Sequence, residues 1–174
     1  MGEYAYRGLE ETNLYLTTHQ QKHAEMAVQL EGAINNLDRC ITNYLIEISG
    51  GSMSEYESAK HTALMDAVRD IERIGDHFEN IVELIDYKIS NKVEITEQAQ
   101  EDVNNMFDLT ILTVKQSIHA LDRMDREEAL AVIQKEDKID KMERVYRKKH
   151  IIRVNEGACD ASAGIVFVDI ISNL

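Results

Sequence analysis

Between Ile71 and Ile85, the apolar residues Ile71, Ile74, Phe78, Ile81, Val82 and Ile85 recur at steps of mostly three and four. At helical spacing they fall on one side of a cylinder, whereas a strand would scatter them over both faces. Glu72, Asp76 and Glu83 gather on the opposite side. A helix with one apolar stripe is stable only when other elements cover that stripe, so the segment demands helical neighbours. The rest of the chain agrees. It contains no proline, and helix formers dominate between its few glycines. No run of alternating β-branched residues argues for a sheet, and an all-α chain is expected.

The formal net charge of -13 makes nucleic acid a poor partner, because a phosphate backbone calls for clustered Lys and Arg. The one basic cluster is Arg144, Arg147, Lys148, Lys149, His150 and Arg153. It reads as a solvated helix face, with docking to an acidic surface or lipid headgroups as the alternative. Cys40 and Cys159 lie far apart without metal-type spacing and read as free thiols of a reducing compartment. The longest apolar stretch, Ala163 to Val168, ends at Asp169, far short of the ~20 residues of a membrane span. No charged-then-apolar start marks a signal peptide. The fragment itself is expected to be soluble.

The chain repeats itself at a spacing of 105 residues, with Met1-Gly2-Glu3 falling on Met106-Phe107-Asp108. Glu31 to Arg39 likewise falls on Glu136 to Arg144, and after a small shift Asp66 meets Asp169. So long a period points to duplicated domains rather than a solenoid, divided at residues 1–90 and 91–174. In the first copy helices are expected over Gly2–Thr17, His19–Ile48 and Glu55–Ser90. In the second they are expected over Glu97–Leu121, Arg126–Val154 and from Ala158 onward. Gly50-Gly51 and Gly157 mark loops, and Ser54/Glu57 and Asp125/Glu128 read as capping boxes. Met1 begins in mid-pattern and Asn173-Leu174 stops within one, so both ends read as cut. A shortened third helix in the second copy should leave apolar surface uncovered, and a homodimer is expected from that.

Glu72 and Asp76 stand one helical turn apart, where like charges repel by a few tenths of a kcal/mol. A bound cation, Arg69 or Arg73, or solvation could offset this. Gly75, between them, costs a helix about 1 kcal/mol relative to alanine, which suggests close approach of another helix or a ligand. His77 adjoins the stripe and could be a ligand or a solvated residue. No glutamate has a histidine three residues later, so the Glu-x-x-His signature of di-iron bundles is missing. Phosphate loops, Gly-x-Ser-x-Gly and His-Glu-x-x-His are missing too. The other histidines read as structural or exposed, and the tyrosines and methionines as core or core-edge packing.

The run Asp70-Ile71-Glu72-Arg73-Ile74-Gly75-Asp76-His77 with Glu79-Asn80-Ile81 resembles the PhoU-type domains of bacterial phosphate-uptake regulators. Glu136 to Asp140 and Ile165 to Leu174 carry the same resemblance in the second copy. The chain is most similar to the C-terminal cytosolic region of the sodium/phosphate cotransporter family. That likeness implies tandem PhoU-type three-helix bundles, spectrin-like and antiparallel, truncated at both ends. It also implies a cytosolic regulatory or accessory role, with a transmembrane sodium/phosphate transporter half as partner at the cytoplasmic side of the plasma membrane. Some family members hold iron or other cations on the bundle surface. By the resemblance, Glu72 and Asp76 would be ligands in the first copy, with Glu31 beside them, and Glu136 and Asp140 in the second. Asn35 stands where the first copy would offer a carboxylate after Glu31, and the partner motif of the second copy would lie beyond Leu174, so weak or no retention of a divalent or iron cation is expected. Regulation rather than catalysis is the expected role. The alternatives are a di-metal carboxylate enzyme using Glu72, Asp76, Glu136 and Asp140, and a plain helical scaffold.

Overall fold

The computed structural model describes residues 1–159 and 161–174, which form six α-helices and no strand among the described residues. They are α1 (Gly2–Thr18), α2 (Gln21–Ser49), α3 (Glu55–Ser90), α4 (Glu97–Arg123), α5 (Arg126–Asn155) and α6 (Ala161–Asn173). The all-helical expectation holds. The last helix was expected from Ala158; Ala158 and Cys159 instead form a bend, and Asp160 lies outside the described residues.

Local chemistry sets the ends. His19 takes a left-handed conformation (φ 56°) and its N–H donates to the Tyr15 carbonyl, so α1 closes there and α2 starts later than expected. Met124 closes α4 in the same way at φ 52°. These two caps are 105 residues apart (124 − 19). Ser54 and Glu57 form the expected reciprocal capping box at α3. Asp125 caps α5 by accepting from the Glu127 and Glu128 N–H groups. The second box stays incomplete. The Asp125 N–H donates to the Ala120 carbonyl, and the Glu128 carboxylate turns to His119 Nδ1 at 2.7 Å.

α1, α2 and α3 pack on one another, as do α4, α5 and α6, while α1–α4 and α3–α6 contacts join the two groups. The α3 stripe does what its period requires: Ile71, Phe78, Ile81, Val82 and Ile85 are all buried. Gly8 on α1 makes room for Phe78, since a Cβ there would fall 2.3 Å from the ring. Gly75 is different. Its Cβ would rest 3.5 Å from Ile34, ordinary van der Waals contact, so α2 approaches closely without excluding a methyl group. Tyr15 on α1 donates its hydroxyl to Asp86 on α3, and burial together with Asp86 pushes its pKa up to about 12. Between the groups, Glu10 pairs with Lys115, and Asn173 Oδ1 accepts from His77 Nδ1 at 3.0 Å.

The basic cluster of α5 does not stay on a solvated face. Arg153 is buried and pairs with buried Asp102 at 2.9 Å, and Lys149 reaches the other Asp102 oxygen at 2.9 Å. Arg153 also lies over the Phe167 ring at 5.2 Å, and His150, buried, stacks on that ring at 5.0 Å. Burial first, then Arg153, holds the His150 pKa below the usual histidine value. Arg144 pairs with Asp140, and Arg147 with Glu143 and Ser172. Three tyrosines also depart from expectation: Tyr44, Tyr56 and Tyr87 are exposed, whereas Tyr15 and Tyr146 are buried.

The packing of the glycines and of the buried ion pair can be tested directly. Gly75→Ala should stabilise the fold by about 0.5–1 kcal/mol through helix propensity, while Gly8→Ala should destabilise it by about 1–3 kcal/mol through overpacking against Phe78. Urea melts of both variants would show opposite shifts in midpoint. Asp102→Asn strands the buried Arg153 charge and should cost about 3–5 kcal/mol in the same measurement.

Candidate functional site

Packing of Ile34 against Gly75 fixes how α2 lies along α3. Glu31, one turn before Ile34, is thereby held against the polar edge of α3, where it meets Glu72, Asp76 and Glu79. It is only 7% exposed, which is rare for a glutamate with no cationic partner. The Asn35 side-chain amide donates to its carboxylate. This contact explains why an amide serves at a position where the motif would have offered another acid: a second anion would find no donor there.

The charge environment is lopsided. Burial raises the pKa of Glu31 most, and Glu79, Asp76 and Glu72 raise it further, against a lowering by the Asn35 hydrogen bond. Burial also lifts Glu72, with Asp76 and Asp38 adding to the shift and Arg73 opposing it. Glu79 is raised by burial, then by Glu83 and Asp76. Arg73 is turned toward Asp70 at 3.8 Å, both side chains being exposed, so it compensates little within the cluster.

Three expected site residues, Glu31, Glu72 and Asp76, thus come together. Glu79 and Asp38 join them and were missed from the sequence. Spacing held the signal, because Glu79 lies seven residues after Glu72 and Asp38 seven after Glu31, each two turns along the same face. Glu136 and Asp140 sit instead on α5, both exposed, and the Arg144 guanidinium donates to Asp140 at 3.4 Å. His77 is engaged with Asn173 rather than turned into the acidic cluster.

Oxygen donors without thiolates suit hard cations such as Mg²⁺, Mn²⁺ or Ca²⁺; burial raises the carboxylate pKa values first and neighbouring acids second, and a cation would favour the ionised forms. Geometry is less complete. Among the described residues no group of three His, Cys, Asp or Glu side chains is placed to hold a metal ion. The cluster therefore fits a cation by charge and donor type without presenting a formed coordination shell.

A family model described as PhoU domain matches residues 1–85 and 103–174, a span that includes this cluster. The fold is similar to that of PhoU from Pseudomonas aeruginosa, with a TM-score of 0.92 and 16% identity over 99% of this chain and 82% of that one. It is also similar to the phosphate transport system regulatory protein PhoU from Streptococcus pneumoniae. There the TM-score is 0.86 and the identity 19%, over 99% of this chain and 80% of that one. At these identities the likeness shows the fold. No curated protein sequence matches the chain.

The cluster makes a prediction about pH. Glu31, Glu72 and Glu79 bind protons more tightly folded than unfolded, so their contribution to stability is complete below the ordinary carboxylate range. It is lost as pH rises through their raised values. Glu31→Gln removes the buried charge while keeping an acceptor for Asn35. It should raise Tm by about 2 °C in neutral to mildly alkaline buffer, with the gain shrinking as the buffer is made acidic. Scanning calorimetry across that range checks the trend.

Proposed function

This chain belongs to the PhoU domain family, and we propose that it is a cytosolic regulatory region acting on a sodium-dependent phosphate transporter. The observation that carries the reading is the family match over 1–85 and 103–174, together with the acid-bearing edge of α3 that it contains. The transporter partner is supported by the likeness of the runs Glu72 to His77 and Ile165 to Leu174 to the region that accompanies the membrane half in the cotransporter family. No helix among the described residues is long and apolar enough to cross a membrane, and the reading assigns the crossing to that partner.

In this reading the region works by contact and not by turnover. Glu31, Glu72 and Asp76 hold α2 and α3 in mutual electrostatic tension, and proton or cation binding changes how firmly the two helices close. A divalent or iron cation drawn to that acidic edge would supply charge neutralisation there, although the three carboxylates form no ready coordination shell. Glu136 and Asp140 stand apart on α5, both exposed and with Asp140 paired to Arg144, and this reading does not use them.

The test joins the region to its membrane half and measures phosphate uptake at low and high external phosphate. Glu72→Ala with Asp76→Ala should change the dependence of uptake on phosphate supply, and an unchanged dependence overturns the regulatory reading of the acidic edge. In parallel, Mn²⁺ or Mg²⁺ should raise Tm of the parent and not of Glu31→Gln/Glu72→Gln, since a ligand selective for the folded state must stabilise it. Melts unmoved by either ion remove the cation from the proposal.

A further inference from the structure

The basic run of α5 divides between two sides of the helix. Tyr146, His150 and Arg153, at steps of four and three, are buried toward α4 and α6, the helices that α5 packs on. Lys141, Arg144, Lys148, Ile151 and Asn155, again at steps of three and four, are exposed on the opposite side, with Val145 and Ile152 exposed along its flank. Glu143 is the one acid between Lys141 and Asn155, and it is half-buried and paired with Arg147. Asp137 and Asp140 precede this face, and Glu101 of α4 and Glu156 border it near Ile152. Lys141 and Lys148 have no ion-pair partner among the described residues. Arg144 meets Asp140 at 3.4 Å with both side chains exposed, a contact that neutralises it weakly. The fold does not require so basic a face. At the 105-residue offset the corresponding exposed positions of α2 carry Asn36, Arg39, Asn43 and Ile46, with one cation in place of three.

We propose that this outward face of α5 rests on an anionic lipid surface. Val145, Ile151 and Ile152 enter the headgroup layer, while Lys141, Arg144 and Lys148 meet its phosphate and carboxylate groups with their aliphatic stems laid along the same boundary. The face points away from both helices of its bundle, so it is not the seat of a third helix. Charge complementarity alone would also suit an acidic protein. Such a partner leaves three branched aliphatic side chains against water unless it adds an apolar recess, whereas a lipid surface offers charge and an acyl boundary side by side. The net charge of -13 does not forbid the contact. At physiological salt, charges more than about 8 Å from the lipid are largely screened, so the local face decides. The inference goes beyond the transporter reading and does not need it, since lipid alone is the ligand.

The chain has no tryptophan, so Ile151→Trp places a single fluorescent reporter on the face. Vesicles of phosphatidylcholine with about one third phosphatidylserine, at physiological salt, should shift its emission to the blue, and pure phosphatidylcholine vesicles should not. Sedimentation of the whole chain with the mixed vesicles should show binding that Lys141→Glu/Lys148→Glu weakens about tenfold or more, since each surface cation is worth about fivefold. Ile151→Ser/Ile152→Ser should weaken it about threefold or more. Lys22→Glu/Lys60→Glu changes the net charge equally from exposed positions on α2 and α3, and should leave binding within about twofold. Absence of binding, an unshifted reporter, or equal binding to the two vesicles overturns the proposal. So does indifference to the α5 lysine pair, or an equal loss with the pair on α2 and α3. A reporter that responds to polyglutamate and to neither vesicle assigns the face to an acidic protein, which also overturns it.

Discussion

Burial of the α3 stripe between α1 and α2 is the interaction on which the first bundle depends. Phe78, Ile81 and Ile85 are fully buried, and side chains of this size contribute on the order of 1.5–3 kcal/mol each when removed from water. That burial fixes the rotation of α3 about its own axis. Once the apolar side is turned inward, the acids four and seven residues apart must line its edge, and the edge must face α2. The acidic cluster is thus a geometric consequence of core packing. Its repulsion is tolerated because apolar burial stabilises the bundle by much more than the like charges destabilise it.

The two bundles show what that packing controls. Glu31 and Glu136 occupy the same register, yet one is 7% exposed with a raised pKa and the other is open to solvent. α3 packs over Glu31, whereas Glu136 borders an open groove. α3 runs for 36 residues and covers α2 along most of its length, while α6 has 13 described residues and covers the C-terminal half of α5. The second bundle is held by other means. Asp102, Lys149 and Arg153 form a buried ionic network, with Phe167 stacked against His150 and lying beneath Arg153. A Cβ on Gly164 would fall 2.6 Å from His150 Nε2, so a glycine on α6 gives the ring its place.

Helix content and helix ends were legible in the sequence because they are set locally: apolar period, absence of proline, Ser54 with Glu57, and glycine-bearing loops. Local rules also account for the misses. His19 and Met124 adopt left-handed caps, which glycine or asparagine usually supply, so the sequence placed the ends of α1 and α4 one and two residues early. Arg153 and His150 looked like members of a solvated basic face because they stand in a run of charged residues. Their burial depends on Asp102 and Phe167, 51 residues before and 14 after Arg153, and no periodicity reports that. Glu31, Glu72 and Asp76 were legible as carboxylates of interest. Their juxtaposition was not, since it rests on Ile34 meeting Gly75.

Regulation through so small a cluster has a physical route. Glu31 is connected to α3 by repulsion and to α2 by Asn35, so its protonation state changes the force between the helices without breaking a hydrogen bond. His77, one residue beyond Asp76, reaches Asn173 on α6, so α3 touches the second bundle directly beside the acidic edge. The acidic edge and the α3–α6 contact lie on consecutive residues of one rigid helix. In the proposed regulatory reading, α3 itself is the element that would link that edge to the other bundle.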